Sequence, residues 1–354
     1  FGGIAVKRLG KLLIFICGGF AFNIMNLCAA IVVGNKELVW TLYIAAFIVG
    51  IFGSWLWVAQ GGYVAVLFKP ARQGYGFGLF NALFAVNGII GFGLLLVLAS
   101  LGVDSINTMW ILFAISVLAT VSAFNIKKWP VVNSTEKKME SFESIGDEKQ
   151  QDSVCQQILN VVSLTYDKQV FYQALFALWA GHTEGMYWTT IAAQYRTVQL
   201  IAICFLTQST VSLFASFILG IISDKYGRFS AMSFCLIMAI LTNICSGVGM
   251  DMADEDSSVR WGLLITGAVG FGCSDFPGQA LLRANYQAMF PNDASRLSDA
   301  MANLLMILMF GTLFATLSGV ATHPWVSVII NTVFAFMALI GQFCLPKHVN
   351  RKLL

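Results

Sequence analysis

The sequence predicts an all-α, multi-pass membrane protein, and three observations carry that reading. Hydrophobic residues make up 58% of the 354, or about 205. Charged residues make up only 11%, against about 25% in a soluble domain. The apolar residues fall in runs long enough to cross a bilayer, which takes roughly 20 residues per helix. Ten such helices use nearly the whole apolar supply. This composition excludes a soluble globular enzyme, a disordered chain and a nucleic-acid binder. The net charge of +3 says little, because the positions of charges matter more than their sum.

Apolar runs bounded by charge or turn residues give ten candidate spans, A to J. Span A (12–33) follows Lys11 and stops before Gly34-Asn35-Lys36. Span B (40–66) runs up to Phe68-Lys69-Pro70, and span C (77–100) begins after Arg72. Span D (107–125) stops at Lys127-Lys128. A polar stretch, 126–169, contains Glu136, Lys137, Lys138, Glu140, Glu143, Asp147, Glu148 and Lys149, and reads as a solvated, partly disordered connector. Span E (170–192) follows Lys168, and span F (200–220) ends just before Asp224-Lys225. Span G (230–249) lies between Arg228 and Asp251, and span H (261–289) follows Arg260. Span I (298–320) follows Arg296, and span J (325–345) precedes Pro346-Lys347. Spans B and H are long enough to require tilt or a break.

The basic residues give the spans a direction. Only Lys36, Arg196 and Arg260 lie on one face, and Arg283 lies within span H. The other seventeen of 21 lie on the opposite face. The positive-inside rule places that face, with both termini and the connector, in the cytoplasm. The eight cysteines form no CxxC pair or zinc spacing and read as small buried hydrophobes. No metal site and no cofactor is expected.

Four spans precede the connector and six follow it. Gly220-Ile-Ile-Ser-Asp224-Lys225-Tyr-Gly227-Arg228 joins span F to span G, and Gly3-Ile-Ala-Val-Lys7-Arg8-Leu-Gly10-Lys11 shares its glycine spacing. The two stretches are 217 residues apart. Adding that offset to spans A–D reproduces spans G–J, which makes an internal repeat. Both halves start on the same side, so the repeat is parallel. The mates of E and F would precede residue 1, so the full plan is six spans plus six, with the first two missing here. The expected domains are 1–125 (four spans), 126–169 (connector), 170–346 (six spans) and 347–354 (cytoplasmic tail).

The Gly220–Arg228 turn resembles the signature loop of the major facilitator superfamily. Its glycines permit a short turn, Asp224 suits a helix N-terminus, and its basic residues hold it inside. In the first copy Lys7 stands where Asp224 does. Trp57-Val-Ala-Gln60-Gly61-Gly62-Tyr63 resembles a signature of the Unc-ninety-three-like family of that superfamily. Val269-Gly-Phe-Gly272-Cys-Ser-Asp275 resembles another stretch of it, with the acid two residues later. The resemblance implies a major facilitator fold of two parallel six-helix repeats. It also implies one of two roles: a transporter of an ion or small solute by alternating access, or a regulatory or trafficking subunit for a channel or receptor. The partners expected are therefore the lipid bilayer, a small solute or ion, and a channel or receptor subunit. The membrane is the plasma membrane or an endomembrane.

Ionisable groups inside a bilayer are costly unless paired or solvated, so they are candidates for function. Glu184 on span E and Asp275 on span H read either as a proton- or cation-binding site or as structural hydrogen bonds. Arg283 reads as a cavity residue or a snorkelling one. Gln60 and Tyr63 are further lining candidates. Positions 275, 279 and 283 share one helix face, yet Asp275 and Arg283 are about 12 Å apart along the axis. Each is therefore expected to seek a partner on another helix. Pro277-Gly278 should kink or unwind span H, and Gly61-Gly62, its mate under the 217 offset, should do the same in span B. The alternative is close packing through small residues. Gly220, Asp224, Lys225, Gly227 and Arg228 form the expected gating loop.

Overall fold

The computed structural model describes residues 11–68, 72–123, 154–194, 197–252, 257–290, 294–321 and 323–345. The described chain is helical nearly throughout: α1 Lys11–Gly34, α2 Trp40–Leu67, α3 Gln73–Ser100, α4 Ser105–Ala123 and α5 Val154–Ser163. There follow α6 Lys168–Gly185, α7 Val198–Tyr226, α8 Arg228–Asp251, α9 Ser258–Met289, α10 Ala294–Ala321 and α11 Pro324–Cys344. A helix stands at each of the ten expected spans, and among the described residues seven helical stretches have the length and apolar composition to cross a membrane.

Local chemistry sets the helix starts. The Asp167 carboxylate accepts the Gln169 N–H at 3.0 Å and so caps α6. Thr197 caps α7 through Leu200 at 3.2 Å. Ser257 caps α9 through Val259 at 3.2 Å. These side chains satisfy donors that the first helical turn leaves without partners. Between α7 and α8, Gly227 adopts φ 97°, a left-handed conformation that glycine reaches without a Cβ penalty. This single residue turns the chain from one span into the next.

The connector, expected to be partly disordered, ends in a helix, Val154–Ser163, in which Ile158, Val161 and Val162 recur at helical spacing. One expectation is corrected: the glycine and proline positions do not unwind the long spans. α9 continues through Pro277 and Gly278, and α2 continues through Gly61 and Gly62. Side chains attend the carbonyls near the proline: Ser212 donates to Gly272 O at 3.0 Å, and Asn81 donates to Phe276 O at 2.7 Å.

The chain divides into two compact units. One comprises residues 1–66 and 97–159, the other residues 67–96 and 160–354. In the first, α1 meets α4 where Asn23 donates to Thr120 at 3.0 Å, and Ile14, Ala59 and Trp55 pack together. In the second, α3 meets α7 through Tyr75 and Phe217 and α9 through Asn81 and Phe276. Close backbone contact holds this unit. At Gly181 of α6 a Cβ would overlap the Leu308 carbonyl of α10, and at Gly311 of α10 it would meet the Leu178 carbonyl. Thr312 adds a hydrogen bond to Gly181 O at 3.0 Å. Small residues allow this approach, which replaces the hydrophobic driving force absent between helices in lipid.

Candidate functional site

The polar centre of the second unit is built from α3, α6 and α9. Asp275, Gln279 and Arg283 stand four residues apart on α9, and residues at this spacing are neighbours on one helix face. Gln279 joins the other two. Its amide nitrogen donates to Asp275 Oδ1 at 2.9 Å, and its carbonyl accepts from Arg283 Nη2 at 3.3 Å. The same nitrogen lies 3.4 Å from Glu184 Oε2 of α6. Arg283 Nη1 donates to Asn81 of α3 at 3.1 Å. A chain of hydrogen bonds thus links two carboxylates, one amide and one guanidinium across three helices.

Asp275 and Arg283 form no direct pair, as their spacing requires. Asp275 does not, however, take its hydrogen bond from another helix as expected, because Gln279 reaches it along α9. All four residues, Asn81, Asp275, Gln279 and Arg283, are at most 7% exposed. Glu184 is half-buried. With every group ionised the cluster carries two negative charges and one positive. Asp275 Oδ2 is buried with no hydrogen-bond partner among the described residues. A buried, unsatisfied carboxylate oxygen costs several kcal/mol unless it holds a proton, a cation or water, on the order of the penalties for isolated buried ions. The arrangement is suited to binding one positive charge reversibly.

The other expected residues are placed elsewhere or apart. Gln60 of α2 belongs to the first unit, where its Oε1 is buried without a partner among the described residues. The side chain of Tyr63 lies outside the described residues. The Gly220–Arg228 loop forms a contact of its own within the second unit. Asp224 Oδ1 accepts the Gly74 N–H at 2.9 Å, and Oδ2 accepts the Tyr75 N–H at 2.7 Å. The carboxylate therefore caps the first turn of α3 across helices, where orphan N–H groups and the helix dipole favour an anion. Gly74 and Gly220 make room, since a Cβ on either would strike the backbone of the other helix. Arg72 and Arg228 are electrostatic neighbours of Asp224, and Lys225 Nζ lies 5.4 Å from the Tyr226 ring centroid. The matching stretch at residues 3–11 falls almost wholly outside the described residues.

A second polar cluster joins α6, α8 and α11. His182 is fully buried. Its Nδ1 lies 3.2 Å from the Asn331 amide nitrogen of α11, which also donates to Thr183 at 3.0 Å. Asn331 Oδ1 accepts from Asn243 of α8 at 3.2 Å. That bond fixes the amide orientation and leaves His182 Nδ1 as the acceptor. The individual asparagines gave no signal, because apolar runs hide single polar residues until the helices are brought together.

A bundle of long apolar helices in two compact units, with buried charges inside one of them, defines a multi-pass membrane protein. The sequence pattern of the Major Facilitator Superfamily matches residues 1–293, and the chain belongs to that superfamily. No curated protein sequence matches it significantly. Its fold is similar to that of solved transporters. FucP in the outward conformation superposes with a TM-score of 0.61 at 14% identity, over 97% of this chain and 84% of FucP. The proton:xylose symporter XylE, bound to 6-bromo-6-deoxy-D-glucose, gives 0.63 at 13%, over 97% and 81%. A single-residue variant of the E. coli fucose:proton symporter FucP gives 0.62 at 15%, over 97% and 85%.

Proposed function

We propose that this protein is a transporter of the Unc-ninety-three-like type. It moves a small polar or charged solute, coupled to a proton or cation, with Glu184 and Asp275 as the groups that change occupancy. The observation that carries this reading is the Gln279 bridge. One amide nitrogen within 3.4 Å of two carboxylates ties an accessible acid to a buried one. A charge arriving at Glu184 is thereby felt at Asp275 and, through Gln279, at Arg283. The neighbours of similar fold are proton symporters of fucose and xylose, which suits coupling to a proton. Both termini and the 126–169 connector lie in the cytoplasm on this reading, and the sequence halves 1–125 and 170–346 are the two bodies that rock, so α3 is counted with the first half although residues 67–96 group with the later spans here. Asp224 at the start of α3 then acts as a cytoplasmic latch.

The test is uptake by the purified chain in liposomes, with labelled fucose, xylose and a panel of ions and small solutes, with and without an inward proton gradient. Gradient-dependent uptake lost in Glu184→Gln and Asp275→Asn, with both variants folded, supports the proposal. Absence of flux by wild type across the panel overturns it. Co-purification of a channel or receptor subunit would then favour the regulatory role.

A further inference from the structure

We propose that the ligand taken up at Glu184 is an organic cation, a small solute bearing an ammonium or guanidinium group, held between the Glu184 carboxylate and the Trp188 ring. This inference rests on the transporter reading and names its substrate class.

Between Gly181 and Ile191 only Glu184, Trp188 and Thr189 escape burial. Glu184, near the end of α6, and Trp188, four residues on in the turn that follows, are therefore the two large side chains left open in this stretch. After Gly185 the helix widens into one π-helical turn, Met186–Ile191, a distortion frequent at functional sites. Tyr187 turns inward and stacks on Phe271, with centroids 3.9 Å apart.

Trp188 is held from behind. Phe205 stacks beneath it at 4.3 Å with the planes 17° apart, and Phe92 stacks on Phe205 at 5.0 Å. The indole remains 39% exposed. An indole held from behind and four residues from a carboxylate offers the chemistry of a cation–π site, for which tryptophan is the best ring. Arg283 is the electrostatic partner of both Glu184 and Asp275, so one guanidinium is shared between two acids and the fully ionised cluster keeps one net negative charge. Asp275 Oδ2, on a residue 1% exposed, is also without a hydrogen-bond partner among the described residues. A hard metal ion would want a shell of oxygens, whereas the surface offered here is half aromatic. A neutral sugar would stack on the indole and leave the charge uncompensated.

The experiment is equilibrium binding of labelled choline to the purified full chain in nanodiscs. Competitors are guanidinium, potassium, fucose and 3,3-dimethyl-1-butanol, the neutral isostere of choline. Choline and guanidinium should bind, and the neutral isostere should bind weaker by about tenfold or more. Glu184→Gln should weaken choline at least as much. Trp188→Leu should weaken it on the order of tenfold, with Trp188→Phe intermediate because Phe is the poorer ring. Trp188→Phe also keeps the stack on Phe205, so its behaviour separates lost binding from lost folding. Equal binding of choline and its neutral isostere overturns the inference. So does binding of fucose but no organic cation, and in that case the transporter reading stands. No binding by any probe together with no flux removes both.

Discussion

The Gln279 amide donates to Asp275 at 2.9 Å and shares the same nitrogen with Glu184 at 3.4 Å. One neutral side chain therefore holds two acids on two helices, α6 and α9. Replacing it by leucine keeps the volume and removes every polar contact. Arg283 Nη2 and Asp275 Oδ1 then lose the bonds that Gln279 gives them, at a cost of about 1–3 kcal/mol for each buried group so exposed. Gln279→Leu should lower the melting temperature in detergent, while Gln279→Asn, too short to bridge, should lower it nearly as far. A melting temperature unchanged in both would mean that water already satisfies these groups.

Asp224 satisfies two first-turn N–H groups of α3, those of Gly74 and Tyr75. Alanine at 224 leaves both donors orphaned, which costs about 0.5–2 kcal/mol at an ordinary N-cap. A charge-assisted bond is roughly twice as strong as a neutral one, so Asp224→Ala should fall at the upper end. Asp224→Asn keeps one acceptor and loses the charge, and should retain about half the stability lost in the alanine variant. Thermal melts of the three proteins rank them as Asp, Asn, Ala.

The fold was legible because its cause is compositional. Span edges are set where charge meets an apolar run, and Lys11, Arg228 and Arg260 mark edges within a few residues. The repeat offset likewise depends only on spacing. The site was half legible. Glu184, Asp275 and Arg283 stand out because charge is rare in these runs, and the i, i+4 spacing pointed to Gln279. Asn81 gave only a faint signal, since its role depends on α3 lying against α9, a pairing no local pattern encodes. Pro277 removes one helical donor, yet α9 continues through it, so the residue type alone did not foretell a break.

Two glycines can be set against two others. A Cβ at Gly181 or Gly311 would overlap a backbone carbonyl of the facing helix, while at Gly61 or Gly91 it would meet nothing within 4 Å. Gly181→Ala and Gly311→Ala should each destabilise by about 1–3 kcal/mol, as overpacking does. Gly61→Ala and Gly91→Ala should be neutral or stabilising by roughly 0.5–1 kcal/mol, because alanine is the better helix former. Melting temperatures of the four variants test this, and a damaging Gly61→Ala would restore the idea that α2 breaks there.

Asn331 is the hub of the second polar cluster, joining His182 and Thr183 of α6 to Asn243 of α8. Asn331→Leu preserves shape but strands a ring nitrogen and an amide in a water-poor interior, and should cost about 1–3 kcal/mol per orphaned group. His182 sits edge-on to Phe334, with centroids 5.3 Å apart, so His182→Phe can fill its place among aromatics. In the double variant the imidazole no longer needs a partner. If the pair is one structural unit, the double variant should be more stable than the sum of the two single losses by roughly 0.5–3 kcal/mol. Additive losses would show that His182 and Asn331 act independently. Uptake unaffected by the double variant would confine proton coupling to Glu184 and Asp275.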